Sequence, residues 1–260
     1  MSPTVRYETR GRIAIVELNR PEARNAVDGE VAAALERSID AIEADDEIWV
    51  GVLTANTDGQ TRPVFSAGAD LKALARGETS MATARGGFAG FTHRDRTKPI
   101  VVAVDGLATA GGCEIVLAAD IVVATTRSSF GLAEVKRNVL AAAGGLYRLP
   151  RAIGRATAMD AILTGEPITA DRAYALGLVS RLVEPGAAVE EALRLAEQIV
   201  RCAPLAVRAS RTIVHEAHSR PDTELERMVA GAAEALRNTA DRHEGLAAFA
   251  DKREPIWQNK

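Results

Sequence analysis

Over the first 183 residues, short apolar runs bounded by turn residues alternate with stretches of helical period; beyond residue 187 only the helical period remains. Residues 5–9 and 13–18 are β-rich runs separated by Arg10-Gly11-Arg12, which predicts a hairpin. Residues 19–26 break both periods with Pro21 and Asn25 and predict a loop. Asp28 stands where an N-cap would start a helix reaching Ala44, with Val31, Leu35, Ile39 and Ile42 on one face. Residues 50–54, 100–104 and 121–124 are apolar runs that read as strands, continuous as in a buried sheet. Between them, 56–63 reads as a polar loop and 76–81, with Gly77, Thr79 and Ser80, as a mobile stretch. Residues 88–91 read as part of a helix ending before Pro99, 113–119 as a helix, and 130–134 as a short extended piece. The late helical pattern falls into four segments, broken at Pro204, at Pro221 and near Asn238. The expectation is an α/β core carrying an all-helical C-terminal extension.

Two glycine-rich turns interrupt this pattern: Phe65-Ser66-Ala67-Gly68-Ala69-Asp70-Leu71-Lys72 and Ala108-Thr109-Ala110-Gly111-Gly112-Cys113-Glu114. Each follows an apolar run and opens a helical segment. The first amides of a helix have no partner within it, and the helix dipole adds partial positive charge there. Two such starts aimed at one point would form a pair of N–H donors for an oxyanion. The second turn ends in a carboxylate, Glu114, which points to acyl chemistry beyond anion binding.

Composition narrows the field. Hydrophobic residues make up 47% of the 260, enough for a core, and the net charge of −3 gives no field favouring nucleic acid or an anionic membrane. Two cysteines, Cys113 and Cys202, do not make a disulfide scaffold and fit a reducing, cytoplasmic setting. No Cys/His cluster has metal-ligand spacing, so no metal is expected; His215 and His218 lack a suitable neighbour. The N-terminus has no apolar signal segment, and no apolar stretch approaches the ~20 residues of a membrane helix.

Asn19-Arg20-Pro21 with Asn25-Ala26, the two glycine turns, Gly144-Gly145-Leu146-Tyr147-Arg148-Leu149-Pro150 and Gly245-Leu246-Ala247-Ala248-Phe249 with Lys252-Arg253-Glu254-Pro255 occur in order. In this ordered set the chain resembles the enoyl-CoA hydratase/isomerase family, the crotonases, over essentially its whole length. The resemblance implies a crotonase-like α/β spiral of β-β-α units over residues 1–195, which binds CoA and carries the chemistry. It implies an all-helical oligomerisation region over 196–260, building a homotrimer or a dimer of trimers. It implies an acyl-CoA substrate and no cofactor beyond the substrate's own coenzyme A, with no nucleic-acid or membrane partner. The oxyanion donors would be the backbone N–H groups of Ala69 and Gly111. CoA contacts would fall at Arg24, Ala67, Asp70, Leu71 and Lys72, with Arg24 and Lys72 near the phosphates.

The hydratase branch holds one water between two glutamates, and Glu114 and Glu134 match those positions. Adding water across a conjugated double bond needs one carboxylate as base and one carboxyl as acid, and proximity itself can split their pKa values. Which glutamate takes which role stays open at this level. Read singly, Glu114 also fits a carboxylate answering a helix dipole, and Glu134 a solvated helix start. Asp70 fits a helix cap as well as an alternative acid/base, and Phe88, Phe91 and Met81 fit either an acyl pocket or simple core. Ser66 lacks a nucleophile elbow and a histidine partner, and Cys113 reads as a small buried hydrophobe.

Two positions depart from the family pattern: Ala110 replaces the first of three glycines, and Val139-Leu140-Ala141-Ala142-Ala143 lacks a common proline. Residues 65–78 with Gly86-Gly87-Phe88-Ala89-Gly90 are similar to the carnitinyl-CoA dehydratase branch, which acts on a trimethylammonium-bearing acyl group. The expected activity is enoyl-CoA hydration. The alternatives are carnitinyl-CoA dehydration, double-bond isomerisation and CoA binding without turnover.

Overall fold

A computed structural model describes residues 3–77 and 81–260. The expected stretch 76–81 therefore falls partly outside the described residues. The chain opens with β1 (Val5–Arg10) and β2 (Ile13–Leu18), an antiparallel hairpin turned at Gly11. The helix α1 (Gly29–Ala44) follows, and Asp28 caps it by accepting the Val31 N–H at 2.9 Å. Three units then repeat one theme. In the first, β3 (Val50–Ala55) and β4 (Val64–Ser66) lead to α2 (Leu71–Ala75). A two-residue ladder, β5 (Ala82–Thr83) with β6 (Gly87–Phe88), precedes the second. There β7 (Ile100–Val104) and β8 (Leu107–Thr109) lead to α3 (Gly111–Ala118). In the third, β9 (Ile121–Thr125) and β10 (Ser129–Gly131) lead through a 3-10 turn (Glu134–Arg137) to α4 (Gly145–Ile153) and α5 (Arg155–Thr164). After β11 (Ile168–Thr169), α6 (Ala170–Ala175) and β12 (Arg181–Val183) come α7 (Ala188–Val200), α8 (Pro204–Glu216), α9 (Asp222–Leu236) and α10 (Ala240–Asp251).

Each unit sends its first strand to a large sheet, β1-β2-β3-β7-β9-β12, and its second to a small one, β11-β10-β8-β4. Between successive units all pairings are parallel, so the chain advances by one strand in each sheet per turn, the spiral expected from the resemblance. The inner strands of the large sheet, β2, β3, β7 and β9, are buried on both faces, which explains their unbroken apolar runs. Ile100, Val102 and Val104 face a core with Leu35, Ile39 and Ile42 of α1, while Val101 and Ala103 face Ala188, Ala192 and Ala196 of α7. The boundary expected at 195/196 falls inside α7.

Two buried cations are structural. Lys98 Nζ donates to the carbonyls of Ile42 and Asp45, both at 2.6 Å, and so closes the C-terminal end of α1. Asp120 pairs with Arg96 at 3.2 Å and Arg211 at 2.9 Å, tying α8 to the core. Burial alone would raise the Asp120 pKa, but the two guanidinium groups hold it below the usual carboxylate range.

Three expectations need correction. Residues 88–91 are not helical: Gly87, Ala89 and Gly90 all have φ near +60°, and a Cβ on Gly90 would lie 2.4 Å from the Ala32 carbonyl oxygen. The extended piece at 130–134 ends at Gly131, and Glu134 starts the 3-10 turn. The second glycine turn enters its helix at Gly111 and leaves at Ala118, two residues earlier than expected at the start and one at the end.

Candidate active site

The two glycine turns meet. A Cβ on Gly68 would lie 2.7 Å from the Gly111 nitrogen, and one on Gly112 would lie 2.2 Å from the Ser66 carbonyl oxygen. Only residues without side chains let the start of α3 pack this closely on the end of β4. Gly68 also has φ +82°, a conformation natural to glycine. Ser66 braces the same turn: its hydroxyl donates to the Asn25 carbonyl at 2.8 Å and accepts the Gly68 N–H at 3.2 Å. That commitment leaves no role for Ser66 as a nucleophile.

Val27 bonds to the neighbours of Ala69, accepting from Asp70 N–H and donating to the Gly68 carbonyl, so Ala69's own N–H faces away from Val27. Gly111 is the first residue of α3, where a backbone N–H has no acceptor within the helix. Neither N–H has a hydrogen-bond partner among the described residues. Together they make two adjacent donors, one of them on a helix start, suited to a developing negative oxygen. The Phe88 ring packs on Gly111, so close that a Cβ there would lie 2.5 Å from Cε1. Of the three candidate pocket residues, Phe88 is thus placed against the donor pair. Phe91 and Met81 are buried in the core, and the Phe91 ring lies 4.9 Å from the Arg96 guanidinium carbon.

Glu114 lies on the first turn of α3 and is 3% exposed. Its Oε1 accepts the Gly145 N–H at 2.9 Å. Burial raises its pKa, while the N–H groups of Gly145 and Ala143 and the charge of Arg148 oppose that rise. Glu134 has no such support: its Oε2 is buried without a partner. Burial first, and the charge of Glu114 second, push Glu134 up to about 7, against the pull of its own backbone N–H. The two carboxyls therefore differ: Glu134, raised by burial and by Glu114, holds its proton to near neutrality, while Glu114 has N–H donors that Glu134 Oε2 lacks. Cys113 beside them is buried, and burial holds its thiol protonated.

The expected CoA-contact residues flank the first turn. Arg24 is exposed, with φ +53°, and its carbonyl accepts the Ala67 N–H at 3.0 Å, which seats it beside the turn. Leu71 is 57% exposed and Lys72 is exposed, both on α2. Asp70 is the cap of α2: its Oδ1 accepts the N–H groups of Lys72 at 3.0 Å and Ala73 at 3.1 Å, and its Oδ2 pairs with Arg20 at 3.1 Å. Against the effect of burial, these partners hold Asp70 below the usual carboxylate range, which removes it as an alternative acid.

Sequence reasoning missed the partners of Glu114. Gly144-Gly145 was visible as a motif, but the bond from Gly145 spans 31 residues and has no local signature. Arg148 was equally visible and equally unassigned. Among the described residues there is no cluster able to hold a metal ion and no helix long and apolar enough to cross a membrane.

Comparison with known proteins places the chain in a family. The model of the enoyl-CoA hydratase/isomerase family matches residues 8–260. A carnitinyl-CoA dehydratase of Salmonella arizonae is 36% identical over 264 residues, covering 99% of each chain. An enoyl-CoA hydratase structure from Mycobacterium tuberculosis H37Rv superposes with a TM-score of 0.91 at 44% identity, covering 100% of both chains. A carnitinyl-CoA hydratase structure from Mycobacterium avium, also with full coverage of both, gives 0.78 at 39% identity. With the spiral fold, the paired glycine turns and a family match over nearly its entire length, the chain belongs to the enoyl-CoA hydratase/isomerase family.

Proposed function

We propose that the chain is a hydro-lyase that adds water reversibly to 2-enoyl-CoA thioesters. The carrying observation is the pair of unlike carboxyls, Glu114 bonded to the Gly145 N–H and Glu134 with its Oε2 unpartnered, at the positions that match the family's two glutamates, one on the helix that begins with the Gly111 donor and one just past β10. In this reading the thioester oxygen accepts from the Ala69 and Gly111 N–H groups. Ionised Glu114 takes a proton from water as its oxygen bonds to C3. The electron pair of the double bond moves onto the thioester as an enolate, which the two donors stabilise, and Glu134 delivers its proton to C2. One such donor contributes ~3–4 kcal/mol to the transition state. Arg24 and Lys72 suit the phosphates of CoA as exposed cations beside the turn.

A second reading, dehydration or hydration of a carnitine-type acyl group, rests on the 36% identical Salmonella relative. The two separate in one assay: incubation with short, medium and trimethylammonium-bearing 2-enoyl-CoA thioesters, with products identified by mass spectrometry. A 3-hydroxyacyl-CoA from any of them supports hydration and its source fixes the acyl class. No hydrated product from the whole panel contradicts both.

Assembly into a homotrimer or dimer of trimers fits the apolar side chains that the C-terminal region leaves outside, with Phe249 87%, Ile256 73% and Val214 70% exposed. Sedimentation that finds only a 27.5 kDa species contradicts it.

A further inference from the structure

We propose that Arg148 is a positioning residue for this reaction: its guanidinium locks the 143–145 turn to the 86–93 loop, so that the Gly145 N–H and its own charge hold the Glu114 carboxylate in place. The proposal rests on the hydration reading above. Arg148 Nη1 donates to the Ala143 carbonyl at 3.0 Å and Nη2 to the Thr92 carbonyl at 2.6 Å. A planar fork is the one side-chain cation that can meet two carbonyls on different segments at fixed spacing. One of those segments supplies the Gly145 N–H to Glu114, and the other carries Phe88 against Gly111. The base and the oxyanion donor are thus held by opposite ends of one clamp.

The clamp has its own supports. The Tyr147 ring lies beside the guanidinium carbons of Arg148 at 5.2 Å and Arg151 at 5.3 Å. The Tyr147 hydroxyl meets His93 Nε2 at 3.2 Å, and His93 Nδ1 meets the Thr92 hydroxyl at 3.1 Å. Burial and the charge of Arg148 both lower the His93 pKa, so His93 enters this contact as the neutral ring. Among the described residues, burial raises the Glu114 pKa, and the N–H groups of Gly145 and Ala143 and the charge of Arg148 from α4 oppose it; Glu134 of the 3-10 turn and the protonated Cys113 lie beside it. Arg148 is the single cation among them. Removing its charge leaves only the N–H groups of Gly145 and Ala143 to oppose burial, which favours the neutral form of the base.

The test compares Arg148→Met, Arg148→Gln and Arg148→Lys with the wild type. In both neutral variants kcat is expected to fall ~10-fold or more, as for a misplaced catalytic group, with a smaller change in KM. The acidic limb of kcat/KM is expected to move to higher pH, because the base loses the charge that favours its ionised form. Arg148→Lys keeps the charge and loses the fork, so kcat falls while the acidic limb moves less than in the neutral variants. An acidic limb unmoved in Met or Gln overturns the proposal, as does a wild-type kcat in Lys. If neither neutral variant folds, the Lys arm alone decides. If the wild type turns over no enoyl-CoA, the hydration reading has failed separately. The proposal is then judged by infrared titration of the Glu114 carboxyl, identified by its loss in Glu114→Gln. That titration must move to higher pH in Arg148→Gln, and one that does not move overturns it.

Discussion

A carboxyl keeps its proton near neutrality when it is partly dry and short of donors, and Glu134 is both. Its neighbour Glu114 is the more buried of the two yet receives N–H groups, so hydrogen bonding rather than depth separates them. The separation has a stability consequence whose sign is opposite to that of a salt-bridged carboxylate. The folded chain binds the Glu134 proton more tightly than the unfolded chain does, with about 7 against 4.5. Stability from this group is therefore complete below pH 4.5 and is lost as pH rises through 7. Glu134→Gln imitates the protonated form. Thermal or denaturant unfolding should find it more stable than the wild type by about 1–2 kcal/mol near pH 8, discounted for partial exposure, with no difference at low pH. Equal stability across the range contradicts the raised pKa. Both glutamates were legible in the sequence as family positions; their unequal roles were not, because the Gly145 N–H comes from 31 residues away.

At the scale of elements, the glycine turns work by absence of side chains. Gly68, Gly111 and Gly112 each sit where a Cβ would strike another segment: the Gly111 nitrogen, the Phe88 ring and the Ser66 carbonyl oxygen. Gly68→Ala combines that clash with an unfavourable φ of +82° and should displace the Gly111 N–H. The expected result is a kcat lower by ~10²–10³, the loss typical of one oxyanion donor, with CoA affinity little changed. Unchanged kcat in a folded Gly68→Ala protein refutes the donor assignment. Ala110, which departs from the family pattern, has φ +52° and ψ −130°, a strained conformation for a residue with a Cβ. Its methyl lies 3.1 Å from where a Gly68 Cβ would stand, so it faces the first turn. The same physics explains the wrong helix at 88–91. Apolar spacing there looked helical, but the local glycines serve a close approach to α1 that no local pattern announces. The four late helices were legible because Pro204, Pro221 and the 237–239 break punctuate strong periods.

At the scale of the molecule, the spiral brings Ala69 and Gly111, 42 residues apart in sequence, into one donor pair. Each unit sends one strand to the small sheet, and β4, β8 and β10 lie in parallel order, so the ends of successive units stack. The turns after β4 and β8 become neighbours, and Glu134, just past β10, follows on the same side of the sheet order. Sequence periodicity gave the alternation of strands and helices but not the division into two sheets, since a strand buried on both faces reads the same in either. The resemblance to a known family supplied the spiral of β-β-α units, and the parallel pairings show how its strands divide between two sheets. The most direct measurement is incubation of the chain with its best 2-enoyl-CoA thioester in oxygen-18 water, followed by mass spectrometry of the thioester product. One labelled oxygen at C3 is expected from the wild type, with the rate strongly reduced in Glu114→Gln and in Glu134→Gln. A product that has moved its double bond without taking up label, or labelling undiminished in both variants, contradicts hydration by this pair of carboxyls.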